Sequence, residues 1–168
     1  MPLPPLDNLV RIGQLKAEPP AQAEFDGLVR SGRVRLTDAA NTVLSLESRF
    51  DLAYNAAHAL SLAAMRWHGY RSENRYQVFQ CLTHTLGLEA AEWRVLDQAH
   101  RKRNLAEYEG ELDVDEALVE ALVRCTQHVA ERVTVMGRLP MGELQAGRPD
   151  RKAVHDGGAD SAGADGAG

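Results

Sequence analysis

This chain of 168 residues has only two cysteines, and its sequence shows neither a long apolar run nor a secretory signal. No window reaches the ~18 consecutive apolar residues of a membrane-spanning helix, because charged side chains interrupt the most apolar stretch. The first residues lack a charged segment followed by an apolar one, so we expect a cytoplasmic protein without membrane contact. The two cysteines, Cys81 and Cys125, form no CxxC pattern, which favours buried thiols over a disulfide or a zinc site.

Positive charge and aromatic residues are also in short supply. The 19 basic residues against 24 acidic ones leave a formal net charge of -5, which argues against a protein that coats nucleic acid nonspecifically. The aromatic fraction of 5% is low for an extended surface that stacks single strands. No phosphate-binding loop or nucleophile elbow occurs, and His84 and His128 stand singly, so we expect neither a metal nor a cofactor.

Two regions differ in composition. Residues 140–168 hold seven of the chain's fourteen glycines and few large apolar side chains, which predicts a disordered tail. Residues 1–139 have apolar residues at spacings of three and four, typical of a helical domain whose core covers about 25–137. Segments with a period of two are too few and too short to predict a sheet.

The pattern predicts an all-α fold, an antiparallel bundle of four main helices preceded by one or two short N-terminal helices. The third predicted helix is apolar on more than half of its circumference, which indicates burial at the bundle centre or a dimer interface. The six predicted helices are Leu6 to Leu15, Pro20 to Ser31-Gly32, Thr37 or Asp38 to about His68, Glu73 to Leu86, Glu89 to Tyr108-Gly110, and Val114 to Gly137.

The densest polar cluster lies at the end of the fifth predicted helix and runs from His100 to Glu109. Helical spacing places His100 and Arg103 on one face and allows Arg103 to pair with Glu107. A purely structural interpretation is available, because basic residues in the last turns meet the negative end of the helix dipole. Tyr108 would then be a partly buried aromatic residue with its hydroxyl group in water.

The segment RNLAEY, from Arg103 to Tyr108, resembles a signature of the HEPN superfamily of small helical bundles. One bacterial branch of that superfamily has Arg-x-x-Ala-(Asp/Glu)-Tyr, and Arg103, Ala106, Glu107 and Tyr108 match this spacing. The upstream stretch from Arg49 to Gly69 is similar to the alanine-rich helix of the same branch. The resemblance covers roughly residues 25–137.

The resemblance implies an RNA-binding protein or a metal-independent endoribonuclease, the toxin of a toxin–antitoxin pair whose antitoxin is a nucleotidyltransferase. Arg103 would contact phosphate with Arg101 and Lys102 beside it, and Asn104 would orient the phosphate. Tyr108 stands where the family usually has its catalytic histidine, so it would complete the pocket or accept a nucleotide from the antitoxin. His100 is the alternative proton shuttle. A homodimer would place two motifs across one cleft.

A supporting polar network is expected around Arg103, because polar groups on an apolar helix need partners. Its members are Asp51, Tyr54, Asn55, His58 and Glu107. The competing hypothesis is a noncatalytic helical adaptor that dimerises and binds a protein or a nucleotide. The acidic balance, the absent motif histidine and Glu107 beside Arg103 favour it.

Overall fold

The computed structural model describes residues 3–138, which form helices and one short antiparallel ribbon. The elements are α1 (Pro4–Arg11), β1 (Lys16–Ala17), α2 (Gln22–Ala39), α3 (Leu46–Trp67), β2 (Tyr70–Arg71), α4 (Arg75–Gln80), α5 (Leu82–Thr85), α6 (Ala90–Glu109) and α7 (Glu116–Gly137). The long helices α2, α3, α6 and α7 make the bundle. The predicted all-α fold is confirmed.

Helix α3 lies at the centre of the bundle. It contacts α2, α7, α4, α5 and β2, and twelve of its 22 residues are buried. Five of these are alanines, whose small side chains let neighbouring helices approach closely. The wide apolar surface of this helix is therefore covered within one chain.

Helix α2 continues through Ser31-Gly32, where the sequence predicts its end. Gly32 is buried against α3, and a Cβ at this position would lie 2.6 Å from Leu60 Cγ. The glycine therefore permits close helix packing and does not terminate the helix. Because α2 runs on to Ala39, Thr37 and Asp38 lie inside it, and their predicted role as the cap of α3 is wrong.

Ser45 is the N-cap of α3, since its side chain accepts a hydrogen bond from the Ser48 backbone N–H at 3.2 Å. The predicted fourth helix is divided at Cys81 into α4 and α5, so α2 takes its place among the four long helices. The predicted ends of α6 and α7 agree with the structure within two residues.

The N-terminal segment differs from the prediction of one helix up to Leu15. Helix α1 ends at Arg11, and Gly13 has a φ of 78°, a backbone conformation that suits glycine. The chain then forms β1, which pairs antiparallel with β2 through Lys16↔Arg71 and Ala17↔Tyr70. This two-residue pairing has no signal in the hydrophobic pattern.

Both cysteines are free and buried, as predicted. Among the helices that the structure describes, none combines the length and apolar character that a membrane crossing requires. The predicted disordered tail, residues 140–168, lies outside the described residues.

Candidate functional site

Helices α3 and α6 bring Tyr54 and His100 into contact. Tyr54 Oη lies 2.9 Å from His100 Nδ1, and His100 Nε2 lies 3.0 Å from Nδ2 of Asn104, one turn further along α6. The Tyr54 ring is buried and packs edge-on against Phe79, with ring centroids 5.6 Å apart. The His100 ring is half-buried, while Asn104 is exposed. The three residues make one hydrogen-bonded chain from the core to the surface.

Two half-buried guanidinium groups lie next to this chain. The Cζ atoms of Arg103 and Arg75 are 5.0 and 5.7 Å from the centroid of the Tyr54 ring, a cation–π distance. Arg103 also pairs with Glu107 across one turn at 3.5 Å. Arg75 Nη1 donates to Asn55 Oδ1 at 3.0 Å, and no ion pair within residues 3–138 includes Arg75. The site therefore carries one cation with no carboxylate partner.

Burial and the neighbouring charges together set the protonation of both rings. Burial lowers the pKa of His100 below its ordinary 6.5, and the positive charges of Arg103 and Arg75 lower it further, while the negative charges of Asp97 and Glu107 act in the opposite direction. Burial raises the pKa of Tyr54 above 10.0, against the opposing effect of the same two arginines. At neutral pH His100 is therefore an uncharged imidazole and Tyr54 an uncharged phenol.

A neutral imidazole has one N–H and one lone pair, so His100 has two arrangements. With its proton on Nδ1, His100 donates to Tyr54 Oη, and Nε2 accepts from the Asn104 amide or from a bound hydroxyl group. With its proton on Nε2, the ring accepts from Tyr54 at Nδ1. In the first arrangement Nε2 is the basic nitrogen, and a substrate hydroxyl group would take the place of the Asn104 amide as its donor.

His58 lies one turn after Tyr54 and packs edge-on against Phe79, with ring centroids 6.2 Å apart. Burial lowers the pKa of His58 from 6.5 to about 4, and the charges of Arg75 and Arg103 act in the same direction. His58 is thus a neutral packing residue at the edge of the site.

We expect this lowered pKa to make the fold less stable in mild acid. Between pH 6.5 and about 4 the unfolded chain binds a proton at His58 that the folded chain does not, so stability falls as the pH falls through this interval. Above pH 6.5 the effect vanishes. The loss is on the order of 1–2 kcal/mol after allowance for the partial exposure of the ring.

Urea unfolding at pH 7.5 and 4.5 measures this dependence. His58→Gln should lose less stability between the two values than the wild type, whereas His84→Gln, at an exposed histidine of α5, is the matched control. Equal losses in the wild type and His58→Gln would contradict the assignment.

The other predicted basic residues lie outside this group. Arg101 is 73% exposed and pairs with Asp97 at 3.2 Å, while Lys102 is 3.9 Å from Asp113. Tyr108 is 90% exposed, and no hydrogen bond or ring contact joins it to His100 or Arg103 in the described part of the chain. The motif predicts that Tyr108 completes the pocket around Arg103, but the structure does not place it there.

The predicted polar network is divided between two surroundings. Tyr54 and Asn55 face the two arginines, as described above. Asp51 lines a neighbouring cavity of about 320 Å³, and Arg103 is the one basic residue among its described lining. This acidic cavity is lined by Glu47, Asp51, Arg103, Ala106, Glu107, Gly110, Glu111 and Leu112. Arg103 therefore lies between the Tyr54–His100 pair and a group of carboxylates.

Arg75 is the residue that sequence reasoning missed. It follows Asn74, which caps α4 by accepting from the Gln77 N–H at 3.1 Å. The cap alone locates a helix start but says nothing about which helix faces Arg75. Only the packing of α4 against α3 and α6 places its guanidinium group near Tyr54.

Within residues 3–138, no three His, Cys, Asp or Glu side chains are grouped closely enough to hold a metal ion. Comparison of the chain with protein-family models, curated proteins and solved structures finds no match. The resemblance to the HEPN superfamily therefore stays a prediction from the RNLAEY motif and the α3 sequence.

Proposed function

We propose that this protein binds RNA at the Arg75–His100–Arg103 group and cleaves it without a metal ion. The observation that carries the proposal is the convergence of two half-buried guanidinium groups on the Tyr54–His100 pair, one of them without a carboxylate partner among residues 3–138. Guanidinium groups offer parallel donors to phosphate oxygens and remain charged throughout a reaction.

The chemistry follows from what each group can do. His100 Nε2 would accept the proton of a ribose 2′-hydroxyl, and that oxygen would attack the adjacent phosphorus. The bond from phosphorus to the 5′ oxygen would then break, leaving a 2′,3′-cyclic phosphate, and water would supply the proton of the departing oxygen. Arg75 and Arg103 would stabilise the negative charge that develops on the phosphate. Hydrogen bonding to Tyr54 would hold the imidazole in orientation.

The surrounding carboxylates would make this site selective for RNA over simple anions. Glu107 and the acidic cavity repel anions, and the net charge of -5 gives no long-range attraction for nucleic acid. Free phosphate should therefore bind weakly. The contact with one phosphate would be too weak by itself, so RNA would bind only when its sugar and base also contact the protein.

Replacing Arg103 tests the proposal. We expect Arg103→Ala to weaken binding of a mixed-sequence oligoribonucleotide by about tenfold to a hundredfold, since a charge-assisted contact of roughly 1.5–3 kcal/mol is lost. Arg94→Ala is the matched control, because Arg94 is an exposed arginine on the same helix. Fluorescence anisotropy measures binding, and gel analysis of an RNA pool measures cleavage.

Intact RNA at high protein excess would reject the nuclease, and equal affinities for the wild type and Arg103→Ala would reject the RNA site. If Arg103→Ala changes only the melting temperature, the residue is structural.

The resemblance extends the proposal to a homodimer and to a toxin whose partner is a nucleotidyltransferase antitoxin. The exposure of Tyr108 is compatible with such a partner, because a hydroxyl group must be accessible to accept a nucleotide. If the adjacent gene encodes a nucleotidyltransferase, its product can be incubated with this protein. Peptide mass spectrometry would then locate the modified residue.

The acidic cavity favours the second candidate, a noncatalytic adaptor that binds a basic protein segment. Its four carboxylates surround the single guanidinium group of Arg103 and would attract lysine or arginine side chains. Asp51→Asn combined with Glu111→Gln would weaken an adaptor's affinity for a lysine-rich peptide. The same pair of substitutions would leave an RNA-binding protein's affinity for RNA undiminished.

A further inference from the structure

A second cavity is lined by Tyr76, the residue whose ring packs against His100. It has a volume of about 390 Å³ between the α4–α5 segment and the start of α6. Among the residues that the structure describes, its lining carries no charged side chain and consists of Tyr76, Gln80, Thr83, Leu88, Ala90 and Trp93. This neutral cavity differs from the acidic cavity beside Arg103.

A continuous series of rings connects the neutral cavity to the proposed catalytic base. The ring centroids of Trp93 and Tyr76 are 5.5 Å apart, and those of Tyr76 and His100 are 5.1 Å apart. The Tyr76 hydroxyl donates to Asp97 Oδ1 at 3.1 Å, which fixes the position of the ring between the two. Tyr76 therefore contacts both the neutral cavity and His100.

The lining of the neutral cavity suits a flat, uncharged heteroaromatic group. Tyr76 and Trp93 provide aromatic surface, and Leu88 and Ala90 provide apolar surface. Gln80 and Thr83 are exposed, and their side chains make no hydrogen bond within the described part of the chain, so their amide and hydroxyl groups are available to a ligand. Stacking combined with donors and acceptors at the ring edge is how proteins recognise unpaired bases.

We propose that the neutral cavity is a nucleobase subsite, which holds the base next to the phosphate bound by Arg75 and Arg103. The part that concerns the phosphate rests on the proposed function. The part that concerns the base rests on the cavity itself. A base can come from a free nucleoside or from an RNA strand, and the experiment separates these two sources.

Trp93 fluorescence tests the subsite directly. Trp67→Phe leaves Trp93 as the only indole in the chain, since the sequence holds two tryptophans. We expect uridine or adenosine, which carry no phosphate, to quench its emission saturably. The quenching should persist when Arg103→Ala is added, because a nucleoside makes no phosphate contact.

Binding of an oligoribonucleotide provides the second readout. Gln80→Ala combined with Thr83→Val removes both polar groups without breaking a side-chain hydrogen bond among residues 3–138. We expect this double variant to weaken oligoribonucleotide binding by about fivefold or more. It should also weaken nucleoside quenching. Gln98→Ala, at an exposed glutamine of α6 outside the cavity, is the matched control.

The outcomes distinguish the two proposals. Quenching by nucleosides without any RNA binding supports the subsite and rejects the RNA site. RNA binding that depends on Arg103, with no nucleoside quenching and no effect of the Gln80–Thr83 double variant, overturns the subsite alone. Absence of both quenching and RNA binding overturns both.

Discussion

Arg66→Met is expected to lower the free energy of unfolding by about 3–5 kcal/mol, a large fraction of the stability of a domain of this size. Arg66 is only 2% exposed and lies near the end of α3. Its Nη1 donates to the carbonyl groups of Glu18 and Tyr70 at 3.0 and 3.3 Å, and its Nη2 donates to that of Pro19 at 2.8 Å. Removing the guanidinium group leaves these carbonyl oxygens without their donor.

Two carboxylates add to the cost. Arg66 Nε donates to both oxygens of Glu24 at 3.3 Å, and its Nη2 is 3.3 Å from Glu18 Oε2. Arg71 pairs with the same two carboxylates but is 32% exposed, so it is the matched control. We expect Arg71→Met to cost less than about 1 kcal/mol, the usual range for exposed ion pairs.

Urea unfolding followed by circular dichroism compares the two variants. Similar midpoints for Arg66→Met and Arg71→Met would show that burial adds nothing to the contribution of Arg66. A large loss confined to Arg66→Met would show that this residue connects β2 and the chain after β1 to the bundle.

His100→Gln is expected to reduce RNA cleavage by about 10²–10⁴-fold, the usual contribution of a general base. Glutamine can retain hydrogen bonds to Tyr54 and Asn104 but cannot accept a proton at neutral pH. Affinity for RNA should therefore change only a few-fold. His128→Gln, at an exposed histidine of α7, is the control for the loss of an imidazole elsewhere.

The pH profile provides a readout that a structural role would not change. Because the pKa of His100 is lowered, the base stays unprotonated into mild acid, and cleavage should fall only at a pH below 6.5. Arg103→Gln removes one of the charges that lower this pKa, so the acid limb of its residual activity should move to higher pH. An unchanged rate in His100→Gln, or an unshifted limb in Arg103→Gln, would contradict the assignment of His100 as the base.

The end of a helix was predictable where the residue that marks it does end the helix. Gly110 ends α6 with a φ of 74°, where the sequence predicts the end of that helix. Gly32 has the same sequence signal but serves close packing against Leu60, which depends on a contact between helices. The third predicted helix therefore began too early, because a glycine at a helix end and a glycine between helices look alike in one sequence.

The candidate site was predictable only along single helices. Spacing on α6 predicted the pair of Arg103 and Glu107, whose side chains lie 3.5 Å apart. The polar residues of the apolar helix α3 predicted a network with Arg103, and the structure places Arg103 over the ring of Tyr54. The contact between Tyr54 and His100 joins residues 46 positions apart, so no local pattern encodes it. The same holds for Arg75 and for the neutral cavity, which depend on how α4 packs against α6.

Helix α6 has a shallow attachment to the rest of the bundle, and this has a dynamic consequence. It buries only Leu96 and Ala99 among its 20 residues, whereas α3 buries twelve of 22. Segments with few buried apolar groups open first in local unfolding and exchange their amide hydrogens fastest. A ligand that contacts both Arg75 on α4 and Arg103 on α6 would hold α6 against the rest of the bundle. The rigidity of α6 would therefore rise with the fraction of protein that has bound the ligand.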